Sequence, residues 1–152
     1  MSSPEAMEHL TRQQDFDTVA VKLVRQGRPA MRPTVAQPQP DFSLKIVCTY
    51  CAPNGDRCAA GHLLDMPDDE AAALPNVSAS QSPVCNIFRN DGHDVSFVVR
   101  LQSAHDVPAR LHGTDHAAWL AAWARKMREI AIEYRLSPAT LDEALREHGH
   151  VV

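Results

Sequence analysis

Three of the four cysteines and one histidine fall close together, as Cys48-x2-Cys51-x6-Cys58-x3-His62. Three thiolates and an imidazole make a complete tetrahedral set for zinc. The Cys-x2-Cys pair has the spacing of many structural zinc sites, whereas the second pair is Cys-x3-His. Two other readings stand beside zinc. Close thiols could form a redox pair, or they could pack as small apolar side chains. Only the first two would reveal a biochemical activity.

The residues between the cysteines decide how these side chains meet. Pro53-Asn54-Gly55 is a turn signal with apolar runs on both sides. Proline presets φ for the first turn position and glycine accepts the positive φ that closes the loop. The expectation is an antiparallel hairpin, with strands at about 43–50 and 57–64. A three-residue loop would put Cys48 diagonal to Cys58, about 7 Å apart at Cα. A two-residue loop would put Cys51 opposite Cys58. A regular strand directs Cys48 and Cys51 to opposite faces, which counts against zinc. Folding without metal and with reduced thiols is therefore expected.

A cysteine nucleophile needs a base and an orienting group. His62, His93 and His105 qualify by composition alone. The chain has no nucleophile elbow, phosphate loop, paired-carboxylate or metallohydrolase motif. No catalytic residue is assigned, and a cysteine-dependent enzyme using Cys58 is the third-ranked function. His105-Asp106 reads as a structural pair near the end of its element.

The elements that must position these groups are legible to different degrees. Phe16, Val19, Ala20, Leu23 and Val24 follow the spacing of an amphipathic helix at about 15–26, with Asp15 as cap and Gly27 as stop. Ser3-Pro4 opens only a short turn, because Met7 and Leu10 are out of phase with that stripe. Residues 1–14 are thus expected to be partly ordered. Residues 28–42 hold four prolines and form an extended connector. Residues 65–83 read as loop with one helical turn at 68–74. Residues 91–106 fit a strand by alternation and a helix by length, with a stop at Val107-Pro108. Thr114 caps a helix whose stripe is Trp119, Trp123, Met127, Ile130 and Tyr134, with Arg125, Arg128 and Arg135 on the other face. Ser137-Pro138 opens a last helix bearing Leu141, Ala144, Leu145 and His148, and Gly149 ends it.

Several of these residues resemble a motif of small uncharacterised phage and prophage proteins. Cys48-Thr49-Tyr50, Pro53-Asn54-Gly55, Cys58-Ala59-Ala60-Gly61 and Leu63-Leu64 match C-x-Y-x-x-P-[DN]-G-x-x-C-A-x-G-x-L-[IL]. Gln26-Gly27, Leu101-Gln102-x-x-His105-Asp106 and Ile130-Ala131-x-x-Tyr134 extend the likeness over most of 15–136. Cys51 departs from it, standing where those proteins usually carry a basic residue. The resemblance implies a phage or prophage origin and a helix over 91–106. It implies no activity.

A chain of 152 residues is expected to be one domain, 1–152, with a core of its own. The net charge of −4 gives no reason to favour nucleic acid or anionic lipid. Residues 41–80 alone carry −4 and the rest of the chain balances; this reads as a solvated loop. The opening MSSPEAMEHL lacks the order of a secretory leader, and no apolar run could cross a membrane. A cytoplasmic location is expected. The fold expected is α+β, a β-hairpin packed against three or four helices. The function expected is a phage accessory protein that binds a host macromolecule, a host protein by preference, and so inhibits a defence or replication component. The alternative is a zinc-stabilised hairpin module that binds nucleic acid or protein.

Overall fold

The computed structural model describes residues 3–33, 46–75, 77–112 and 115–150. The first helix, α1 (Pro4–Gln26), is longer than its buried stripe. Ser3 Oγ accepts from Ala6 N–H at 3.1 Å, and Pro4 occupies the first turn, where its missing N–H has no partner to lose. No glycine or proline interrupts the chain from there to Gln26. The expected short opening turn and the later helix are therefore one element. Asp15 does not cap it; Asp15 is buried in the middle of it. Gly27 ends it at φ 69°, with its N–H on Leu23 O.

The expected α+β fold with a hairpin is corrected by the structure. Among the described residues, 46–50 do not pair with 57–64. Met31–Pro33 (β1) instead pairs antiparallel with Ile46–Cys48 (β2), a ladder of three residues a side and the only sheet among the described residues. Ala59–Leu63 is a helix, α2. The domain is helical.

The turn itself forms as expected. Gly55 has φ 89°, its N–H bonds to Ala52 O at 2.9 Å, and Ala52 N–H bonds to Asp56 O at 2.8 Å. The segment after the turn departs from a strand because Cys58 to Gly61, Leu63 and Leu64 are all buried. A strand with one wet face could not bury a continuous run. Ala59 and Ala60 favour helix, and Gly61 lets the α2 backbone close on the Tyr50 peptide. A Cβ at Gly61 would lie 2.0 Å from Tyr50 O.

Asp68–Ala72 (α3) falls at the helical turn expected over 68–74, and Val84–Asn90 (α4) follows the expected loop. The ambiguous segment is α5 (Val95–His112), and it runs through Pro108 instead of stopping there. Its buried residues, Phe97, Val98, Leu101, Ala104, His105, Pro108 and Ala109, follow a helical period. The proline ring costs the bond to Ala104 O; the next carbonyl, His105 O, takes Trp119 Nε1–H at 3.1 Å.

The Trp helix is α6 (His116–Tyr134). Asp115 is its cap, accepting from Ala118 N–H at 3.1 Å; Thr114, the expected cap, lies outside the described residues. Trp119, Trp123, Met127 and Ile130 are fully buried, and the two indoles stack at 5.6 Å. Tyr134 is half-buried, edge-on to Phe97. The last helix is α7 (Ala139–Glu147), which buries Leu141, Ala144 and Leu145. His148 lies just past its end and is exposed. Helix α5 packs chiefly on α6, and α1 packs on α7 and α2. No helix among the described residues is long and apolar enough to cross a membrane.

Candidate functional site

Several residues that carry the sequence resemblance lie around α2 and hold backbone in place, with Arg28 and Arg57 beside them. Gln26, at the last turn of α1, donates through Nε2 to Arg28 O at 2.7 Å and Arg57 O at 3.0 Å. Its Oε1 accepts from Arg57 N–H at 2.9 Å and from the His62 ring at Nε2, also 2.9 Å. Asn54 and Arg28 grip Asp56 on either side of the turn. Tyr50 O–H donates to Val77 O. Arg57 donates to Gly61 O, Leu64 O and Met66 O and pairs with Asp68 at 2.6 Å, so it satisfies the carbonyls that α2 leaves open at its end.

The proposed zinc ligands have other duties within this framework. Cys58 is the N-cap of α2, with Sγ accepting from Gly61 N–H at 3.3 Å. Burial pushes its thiol up to about 12, with Asp106 adding to the effect and the Gly61 N–H opposing it. A buried thiol of that acidity is protonated at neutral pH and is no nucleophile. Cys51 is also buried, and burial followed by the nearby Asp68 raises it. His62 is held at about 4 by burial, then by Lys22 and Arg57, so the ring is neutral and donates to Gln26. The side chain of Cys48 lies outside the described residues. Among those described, no three His, Cys, Asp or Glu side chains stand together as a metal would require.

Below α2 lies a second polar chain. Gln102 Oε1 accepts from Ala60 N–H at 2.8 Å, and its Nε2 donates to Asp106 Oδ1 at 2.6 Å. Asp106 also accepts from His105 Nδ1 at 2.8 Å, while His105 Nε2 accepts from Ala30 N–H at 3.0 Å. The amide on Nε2 fixes the ring proton on Nδ1. His105 is fully buried with both nitrogens engaged and Trp119 edge-on at 5.5 Å. The sequence pattern put it at the end of an element; it lies within α5, and its role is structural.

Sequence reasoning singled out His93 only as one of several imidazoles. The structure gives it a buried carboxylate. His93 Nδ1 lies 2.7 Å from Asp15 Oδ2, in the turn between α4 and α5. That hydrogen bond comes first in raising His93 above the ordinary histidine value; burial opposes it, and the charge of Asp15 adds to it. Asp94, next in sequence, is tied to Arg12 at 2.7 Å and to Ser96. Burial opposes its ionisation, but the Ser96 and Arg12 bonds outweigh that and hold it below the ordinary carboxylate value. Arg12 also reaches Glu8 at 3.0 Å and stands over the Tyr134 ring.

These residues line a shallow cleft of about 310 Å³ between α1 and the turn, formed by Met7, Glu8, Thr11, Gly92, His93 and Asp94. Met7 is 60% exposed, and Leu10, one turn further along α1, is 57% exposed. The only sequence sign of this place was that Met7 and Leu10 fall out of phase with the buried stripe. The chain matches no protein-family model, no curated protein and no solved structure.

Proposed function

We propose that this chain is a small phage or prophage accessory protein that works in the host cytoplasm by binding a host protein. The origin rests on the Cys-x-Tyr…Pro-Asn-Gly…Cys-Ala-x-Gly resemblance, which is an argument by likeness. The observation that carries the binding role is the exposure of Met7, which lines the cleft, and of Leu10, three residues on along α1. Met7 and Leu10 are i, i+3 neighbours on one face of α1, and adjoining exposed apolar side chains are a feature of protein contacts. The resemblance motif is a poor candidate for a contact surface, because its polar atoms are already bonded within the chain.

The test is affinity capture from host cells with the tagged wild-type chain and with Leu10→Glu. A stoichiometric host protein retained by the wild type and lost by Leu10→Glu supports the reading. Equal recovery by both chains removes the α1 surface from it, and no specific protein with either chain contradicts host binding altogether.

A further inference from the structure

Helix α1 outruns the core that it packs on. Residues 4–10 form its first two turns, and every one of them is exposed. Met7 and Leu10 stand there as i, i+3 neighbours, 60% and 57% exposed. Beside them lies the cleft of about 310 Å³, with Glu8 and Thr11 on its α1 wall and Gly92, His93 and Asp94 opposite. Met7 belongs to both, so the apolar pair and the cleft form one continuous surface.

The charges around this surface decide what fits it. Arg12 is shared by Glu8 and Asp94, and Asp15 is matched by His93. Glu5, one turn before Glu8, and Asp91, beside Gly92, meet no cation among the described residues. His9 projects from the side of α1 opposite Met7. The charges that act on the His93 ring, those of Asp15 and Asp91, are both negative. Carboxylates thus outnumber cations here. An anionic segment would be repelled. An uncharged one would strip water from the carboxylates and return no charge to them. A cationic one gains.

We propose that this surface docks a basic segment of the partner protein, with a leucine-like side chain on Met7 and Leu10 and a lysine or arginine side chain entering the cleft toward Glu8 and Asp91. This rests on the host-binding reading above and names the chemistry of its partner. A long cationic side chain suits the place. Its methylene stem meets Met7 on the rim while its head stays among carboxylates and water. The neutral His93 ring adds an acceptor. Asp15 holds the proton on Nδ1, and Nε2, which has no partner among the described residues, can take an N–H from the incoming head. The ion pairs are exposed, so the contact is weak and sensitive to salt.

The probe is the capped tetrapeptide N-acetyl-Leu-Lys-Leu-Lys-amide at millimolar concentration, followed by the amide resonances of the whole chain at low salt. Its controls carry glutamine or glutamate in place of both lysines. Shifts confined to 5–11 and 91–94 are expected with the lysine peptide. The glutamine peptide should bind about tenfold more weakly, the loss of two exposed ion pairs, and the glutamate peptide should not bind. Added salt should shrink the preference for lysine. Glu8→Gln should weaken the lysine peptide and leave the glutamine peptide unchanged, whereas Leu10→Ser should weaken both. Both positions are exposed, so the fold is kept. Equal affinity for the lysine and glutamine peptides, a preference for glutamate, shifts elsewhere or no shifts would overturn the proposal. The probe needs no host protein. Peptide binding without host capture defeats only the host reading, and host capture without a preference for lysine defeats only this one.

Discussion

The chain holds two aspartate–histidine pairs, and they are built in opposite ways. In the first, His105 is wholly buried and both ring nitrogens are engaged, one by Asp106 and one by the Ala30 amide. In the second, the carboxylate is the buried partner, and His93 lines a cleft with only one nitrogen bound by the described residues. The first imidazole has nothing left to offer a ligand and links β1's approach, α5 and α2. The second has its orientation fixed and one nitrogen available. Engagement of both nitrogens separates a structural histidine from one poised to act, and that cannot be read from a His-Asp dipeptide.

Substitutions should respect this difference. His105→Ala should have the largest effect, about 3–5 kcal/mol in denaturant unfolding. It opens a buried cavity and leaves the Ala30 N–H and part of Asp106 unpaired. Gly61→Ala, in the same framework, should cost about 3 kcal/mol, because its Cβ would meet the Tyr50 carbonyl at 2.0 Å. A loss under about 1 kcal/mol for either would mean that the framework yields more easily than its geometry implies.

His93→Gln should cost less, about 1 kcal/mol, since the glutamine amide can still donate to the buried Asp15 carboxylate. The sign of its pH dependence is set by the raised value in the folded chain. The stabilisation is fully present below about pH 6.5, the ordinary histidine value, and is lost as pH rises through the folded value. The stability gap between wild type and Asp15→Asn should narrow accordingly on going from acid to mildly alkaline solution. A gap that widens would contradict the pairing. Smallest of all should be the effect of a chelator. Cys58 and His62 are engaged by Gly61 and Gln26, so the melting temperature should not change. About one zinc per chain with a large chelator-induced drop would restore the zinc module.

The sequence showed what depends on long periodic patterns and strong local punctuation. The stripes of α1 and α6, the stop at Gly27, the positive φ of Gly55 and the last helix were all readable. The segment after the turn was not. Five residues of helix are too few to show a period, and Cys58–Leu64 is apolar almost throughout, so the run reads equally as a buried strand. Its form is set by tertiary contact, the seating of Gly61 on Tyr50. Pro108 misled for the same reason, since burial of α5 outweighs one lost backbone bond. The expectation of a fold without zinc rested on a regular strand that carried Cys48 and Cys51 on opposite faces; β2 ends at Cys48, so that argument lost its frame. His93 was unreadable because its partner, Asp15, looked like a helix cap and lies 78 residues away.

The central claim is that Asp15 holds His93 by Nδ1 and leaves Nε2 to the cleft. Nitrogen-15 NMR of the histidine rings, titrated from acid to alkaline pH, tests it directly. Above its midpoint, His93 should keep its proton on Nδ1 and expose a bare Nε2, with the midpoint above the ordinary histidine value. A neutral ring protonated on Nε2, or a midpoint below that value, would contradict it.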